Sequence, residues 1–237
     1  MTTELLRRST RDATSRTALS LMLALTFSTG VIDAVGYLGL DRVFTGNMTG
    51  NVVILGMALV GADGLPILGP SVALIAFMSG ALAAGRALRS QVAGWSLRTT
   101  VLLSTVTLIL CLCTLTAALV PQPGETVALA ITGGLGAAMG VQAAAARHLA
   151  VKDVTTVVVT STMTGLAADS WLGARTQQPW ARRLLAIMLI LLGAAVGALS
   201  LLLGLPAGIL LSAVITAVVT GLGDALLRPR SAEGAER

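Results

Sequence analysis

The sequence predicts an all-α membrane protein: six transmembrane helices plus two re-entrant segments, arranged as two inverted-topology repeats. Three observations predict it. The 237 residues are 55% hydrophobic and only 11% charged, where a soluble domain carries roughly a quarter charged residues. The apolar residues fall into stretches of about 20, the length that crosses a hydrocarbon core of roughly 30 Å. The basic residues, finally, sort to one side of the membrane only if two of the apolar stretches turn back without crossing.

Six stretches read as full spans: 19–39, 66–85, 99–120, 126–146, 184–203 and 207–227. Pro121-Gln122-Pro123-Gly124 and Leu205-Pro206 read as tight connections, because Pro and Gly interrupt helices. Residues 1–18 and 228–237 read as cytoplasmic tails, too short and polar to fold alone. Arg7, Arg8, Arg11 and Arg16 precede the first apolar stretch, as in a signal peptide, but that stretch runs to Leu40 with no Ala-x-Ala-like stop. It reads as a retained signal-anchor helix. Cys111 and Cys113 share one apolar span and read as small apolar fillers facing different sides. The pI near 10.5 comes from basic residues that lie between apolar stretches, which excludes the basic face of a nucleic-acid binder.

Two further stretches, 43–62 and 154–173, are apolar but open with β-branched or small polar residues before about three helix-like turns. If both dip in and return, with the N-terminus cytoplasmic, fifteen basic residues lie inside and only Arg42 outside; if both cross, the split is ten to six. The positive-inside bias favours re-entry, and it places Trp95, Trp171 and Trp180 at the cytoplasmic interface.

The two stretches also resemble each other. Gly46-Asn47-Met48-Thr49-Gly50 aligns with Ser161-Thr162-Met163-Thr164-Gly165. Upstream, Gly30-Val31-Ile32-Asp33-Ala34 aligns with Gly140-Val141-Gln142-Ala143-Ala144; downstream, Gly80 and Ala84 answer Gly193 and Gly197. Residues 19–120 and 121–227 thus form two membrane repeats, each reading span, re-entrant segment, span, span. Three crossings per half insert the halves in opposite directions, as in many transporters with midplane sites at broken helices. Irregular backbone at that depth requires protein or a water-filled cavity around it. Two short-helix N-termini meeting there, with Thr49 and Thr164 at their starts, would suit an anionic or electronegative group.

Asp33 is an acidic residue inside a full span, in its outer half. Such a residue costs roughly 2.5–3.5 kcal/mol at a helix centre and usually faces a cavity or partner. It reads either as a substrate or proton site, or as a carboxyl capping a backbone break through Thr45 or Asn47. Asn47 and Asn51 flank Met48-Thr49-Gly50 and are the leading ligand contacts, with Thr45 and Thr49 beside them and Thr162 and Thr164 as their counterparts. Gln142 reads as a site residue or an interhelical hydrogen bond. Asp169 reads as an interfacial partner of Arg175, and His148 as a solvated residue at a helix end. Gly136–Gly140 and Gly193–Gly197 are GxxxG patterns that bring helices close, within the chain or across a homodimer.

The first motif, Gly30-Val31-Ile32-Asp33-Ala34 with Tyr37-Leu38 and Val43-Phe44-Thr45-Gly46-Asn47-Met48-Thr49-Gly50-Asn51, resembles the signature of the YoaK family, a domain of unknown function in bacterial membrane proteins. Gly140-Val141-Gln142, Arg147, Val151, Thr155-Thr156 and Thr160-Ser161-Thr162-Met163-Thr164 resemble its second motif. There this chain carries Ala143 where the family often has Asn, and Gly165 where it often has an acidic residue. The resemblance spans about residues 19–227 and implies a six-span protein of a bacterial membrane, with no established substrate.

Together these readings lead to a multi-pass protein of the bacterial cytoplasmic (inner) membrane, both termini cytoplasmic. The expected function is a secondary transporter or narrow channel for a small polar or anionic solute; a membrane scaffold or accessory subunit is the alternative. The spans offer no converging nucleophile, base or metal set, so no enzyme activity, metal or cofactor is expected. The expected partners are the solute, the lipid bilayer and a second copy of the chain.

Overall fold

The computed structural model describes residues 2–62, 64–149, 159–176 and 179–228. Among them the regular structure is entirely helical: α1 (Thr2–Gly39), α2 (Met48–Leu59), α3 (Leu68–Leu88), α4 (Leu97–Leu119), α5 (Glu125–Leu149), α6 (Val159–Ala168), α7 (Trp180–Ser200) with a 3₁₀ turn at Leu201–Leu203, and α8 (Leu205–Leu227). Six stretches of these helices are long and apolar enough to cross a membrane: Thr14–Gly39, Leu68–Leu88, Leu97–Leu119, Glu125–Leu149, Trp180–Leu203 and Leu205–Leu227. All six expected spans are therefore present, with ends shifted by a few residues. The 12 residues of α2 rise only about 18 Å, well short of a hydrocarbon core; the described residues of α6 number 10.

Local chemistry sets the helix ends. Ser96 and Thr99 form a reciprocal capping box at the start of α4, satisfying two otherwise orphaned donors. The helix stops at Val120, ahead of Pro121, where the residue before a proline disfavours the α region. Gly204, at φ 103°, breaks the chain before Pro206 opens α8. After α1, Asp41 and Arg42 both take the left-handed region, at φ 57° and 58°, and turn the chain back. α1 runs unbroken from Thr2 through the stretch up to residue 18 into the first span; neither Gly nor Pro occurs before Gly30 to interrupt it.

The helices pack α1 on α7 and α3 on α5, with α4 on α8, α1 on α8 and α4 on α5. The short α2 leans on α3, and α6 on α7. Lipid tails supply no hydrophobic drive between helices, so contact depends on close approach and small residues. The glycines provide it. A Cβ at Gly193 or Gly197 would collide with the carbonyls of Phe27 or Val31 on α1, and one at Gly136, Gly140 or Gly80 with carbonyls across the α3–α5 pair. Both GxxxG patterns are therefore consumed inside the chain, which removes them as the faces of a homodimer. Large apolar side chains such as Leu82, Leu108, Leu112 and Leu202 point outward instead.

At the end of the bundle where α4 begins and α8 finishes, Trp95 is buried against Gly223 and donates to Thr100 Oγ1 at 2.9 Å. Thr100 in turn donates to Asp224 Oδ1 at 2.8 Å, where Arg228 also donates. Trp95 thus locks two helices together, while Trp171 and Trp180 are exposed as expected of interfacial indoles. Asp169 pairs with Arg183 at 2.8 Å, not with Arg175, whose guanidinium lies 5.1 Å from the Trp171 ring centre. The α6–α7 packing brings Arg183 to the carboxylate, and the indole takes the nearer cation. His148 lies at the helix end, its Nε2 3.2 Å from the Val92 carbonyl. Cys113 is buried and Cys111 exposed, on different sides of α4.

Candidate functional site

The site starts from a break in the helical chain. After α1 the backbone runs irregularly from Leu40 to Asn47 before α2 begins, and such backbone at membrane depth must be satisfied by protein. Asp33, six residues before the end of α1, does this. Its Oδ1 accepts from the backbone N–H groups of Thr45 (3.0 Å), Gly46 (2.6 Å) and Asn47 (3.2 Å). The Thr45 hydroxyl donates to the Ile32 carbonyl at 3.3 Å, tying the loop to the same turn of α1. Gly46 sits against Thr29, Asp33 and Met139, a packing that leaves little room for a side chain. The carboxyl that caps a backbone break is thus what the structure places at Asp33.

Asn51, fully buried in the first turns of α2, holds the other end of the loop. Its amide accepts from Phe44 N at 2.9 Å and donates to Phe44 O at 2.6 Å. Both backbone groups of one residue are satisfied by one side chain, for which the amide's separate donor and acceptor atoms are suited. Phe44 stacks on Tyr37, ring centres 4.8 Å apart. Asn47 caps α2, its side chain accepting from Gly50 N at 3.4 Å. Asn51→Ala is expected to lower stability by about 2–4 kcal/mol, since it strands a buried donor and acceptor. Thermal unfolding in detergent measures this; an unchanged midpoint would show that the loop holds itself.

Between these elements lies a cavity of about 520 Å³. Its polar wall is made by Thr29, Asp33, Tyr37, Asn47, Thr49 and Thr160, and its apolar wall includes Phe44, Val53, Ile54, Val159 and Ile190. The starts of both short helices reach it: Asn47 and Thr49 from α2, Val159 and Thr160 from α6. Gln142, fully buried on α5, donates from Nε2 to Thr29 Oγ1 at 3.3 Å across the helix interface. Its Oε1 is buried without a hydrogen-bond partner.

Of the predicted site residues, Asp33, Asn47 and Thr49 line the cavity. Thr45 and Asn51 are fully buried and hold the loop from behind. Gln142 makes the interhelical hydrogen bond expected of it, one residue behind the wall. Thr162 and Thr164 do not line the cavity; the Thr164 hydroxyl is exposed and donates to the Thr160 carbonyl at 2.9 Å. Residues 154–158, which open the second re-entrant stretch, lie outside the described residues. Sequence reading missed Thr29, Tyr37 and Thr160. The first two stand four residues either side of Asp33, so helical spacing alone places all three on one face.

A family model described as "Protein of unknown function (DUF1275)" matches residues 21–222. The chain is 31% identical over 155 residues to the UPF0700 transmembrane protein YoaK of Bacillus subtilis (strain 168), an alignment covering 63% of this chain and 66%, just under two thirds, of that protein. No solved structure matches the chain. The matched segment runs from α1 into α8 and includes Asp33, the broken loop, both short helices and the cavity between them. The chain accordingly belongs to the DUF1275 family of YoaK-like membrane proteins.

Proposed function

We propose that the protein is a secondary transporter or narrow channel for a small polar solute, with its site in the cavity between the starts of α2 and α6. The observation that carries this reading is the convergence on one cavity of the start of α2, a helix too short to span, of the first described residues of α6, and of a carboxylate set within a transmembrane helix. Intramembrane acids and interrupted helices are expensive and mark solute pathways where they line a cavity.

The packing supports an inverted repeat. Exchanging α1–α4 for α5–α8 turns the α1–α7 contact into α5–α3, α1–α8 into α5–α4, and α2–α3 into α6–α7, while α4–α8 maps onto itself; each of these pairs is in contact. With three spans per half the two repeats insert oppositely, and α2 and α6 then enter from opposite faces as re-entrant segments. The basic residues favour cytoplasmic termini and an inner-membrane location. The anionic half of the sequence reading has less support, because the three loop N–H groups are already taken by Asp33.

Single cysteines along 44–50 and 159–165, in a background with Cys111 and Cys113 replaced by Ala, test the cavity. Asn47→Cys, Thr49→Cys and Thr160→Cys are expected to react with a small water-soluble thiol reagent in membranes, and Thr45→Cys far more slowly. Complete inaccessibility of the wall positions would overturn the reading in favour of a scaffold.

A further inference from the structure

Resting on that reading of the cavity as a solute site, we infer that its solute is a small organic cation, an ammonium or guanidinium compound. Asp33 is the charged side chain on the wall, and no Lys, Arg or His lines the cavity among the described residues. Only one of its oxygens is engaged by the loop: Oδ1 accepts all three backbone bonds, and Oδ2 has no hydrogen bond to a described residue. A carboxylate with a spare oxygen in a low-dielectric cavity attracts positive charge far more strongly than it would in water.

The remaining wall carries hydroxyl and amide groups that can accept as well as donate, and some of its donors are already spent. The Gly50 N–H is met by Asn47 Oδ1. Thr29 spends its hydroxyl proton on the Leu25 carbonyl at 2.9 Å and offers lone pairs alone. Behind it, Gln142 Oε1 is a buried acceptor that lacks a donor. An anion would meet a carboxylate and no cationic side chain among the described residues; a cation meets an opposite charge and hydroxyl oxygens that can accept. Tyr37 and Phe44 supply two mutually stacked aromatic rings to the lining of the cavity, and ring faces attract ammonium and guanidinium groups through their quadrupole. A volume of about 520 Å³ falls in the range of small-molecule sites.

The test pairs a cation with its uncharged isostere. Choline and 3,3-dimethylbutan-1-ol share shape and hydroxyl but differ in charge; guanidinium, glycerol, acetate and sulfate complete the panel. Binding to purified protein is read by ligand-induced thermal stabilisation, and movement by uptake of labelled probe into proteoliposomes. Choline or guanidinium is expected to stabilise the protein and to enter, and 3,3-dimethylbutan-1-ol to do neither. Asp33→Asn keeps an oxygen for the loop N–H groups and removes the charge, so it is expected to stay monodisperse and lose about tenfold or more in cation affinity, a change of about 1.4 kcal/mol. Tyr37→Ala, at a half-exposed ring outside the loop's hydrogen bonds, is expected to weaken cation binding about 2–5-fold. Equal binding of choline and its isostere, cation binding unchanged in Asp33→Asn, or uptake of acetate, sulfate or glycerol alone would overturn the cation assignment and leave a solute site standing. Failure of every probe to bind or move would overturn the solute reading with it.

Discussion

Asp33→Ala is expected to lose a large fraction of the native fold's stability, while Asp33→Asn is expected to retain most of it. The alanine removes the acceptor of three backbone N–H groups, two of which belong to the buried residues Thr45 and Gly46. A buried donor left unmade costs about 1–3 kcal/mol, so the two together cost about 2–6 kcal/mol, a large fraction of a typical total stability of about 5–15 kcal/mol. Water can rescue the Asn47 N–H, since Asn47 is exposed. The asparagine amide oxygen occupies the place of Oδ1 and can accept the same bonds, so its expected loss is below about 1.5 kcal/mol. Thermal unfolding midpoints of the two variants in one detergent separate these outcomes. Equal midpoints would mean that the loop from 40 to 47 is held by Asn51 and by packing, with the carboxylate contributing little. The same pair of variants separates two roles of one residue: the neutral amide keeps the scaffold role and removes the charge on which a cationic solute depends.

The spans were legible because each is a long apolar run bounded by basic residues, Pro or Gly, and bilayer thickness alone then dictates its length. The short α2 was legible for the complementary reason: its apolar run opens with Gly46, Asn47 and Thr49, which weaken the first turns of a helix. Asp33 drew notice through the cost of its charge. What it bonds to followed from the return of the loop onto α1, and spacing along the chain supports that only in outline. Long-range partners were the harder part. Arg175 is nearer to Asp169 in sequence, but α6 packs on α7 and delivers Arg183. Thr162 and Thr164 matched the first motif in register, yet among the described residues of α6 the wall is reached by Val159 and Thr160. A residue match between repeats fixes a helix face less well than the position of that helix's first turn.

Substituting the glycines separates those that position helices from those that only decorate them. Gly193 faces the Phe27 carbonyl on α1, and Gly140 the Phe77 carbonyl on α3, each so closely that a methyl group would overlap backbone. Backbone carbonyls of a packed helix cannot rotate aside as a side chain can, so Gly193→Ala and Gly140→Ala must push two helices apart. Overpacking of this kind costs about 1–3 kcal/mol, and the larger Gly193→Leu or Gly140→Leu is expected to prevent folding. Gly56 and Gly85 lie on helices where an added methyl group would meet nothing within 4 Å, so alanine there is expected to be neutral or to gain up to about 1 kcal/mol from helix propensity. The four alanine variants, compared by thermal unfolding, form an internally controlled set. Gly30, where a methyl group would overlap the Ile190 carbonyl on α7, answers Gly140 across the corresponding contacts, α1–α7 and α5–α3, under exchange of the two halves. If the halves are structurally equivalent, the losses from Gly30→Ala and Gly140→Ala should agree within about 1 kcal/mol, well inside the spread of overpacking costs. A variant at one position that is silent while the other is severe would show that the α1–α7 and α3–α5 seams are built differently, and would remove the strongest packing argument for an inverted repeat.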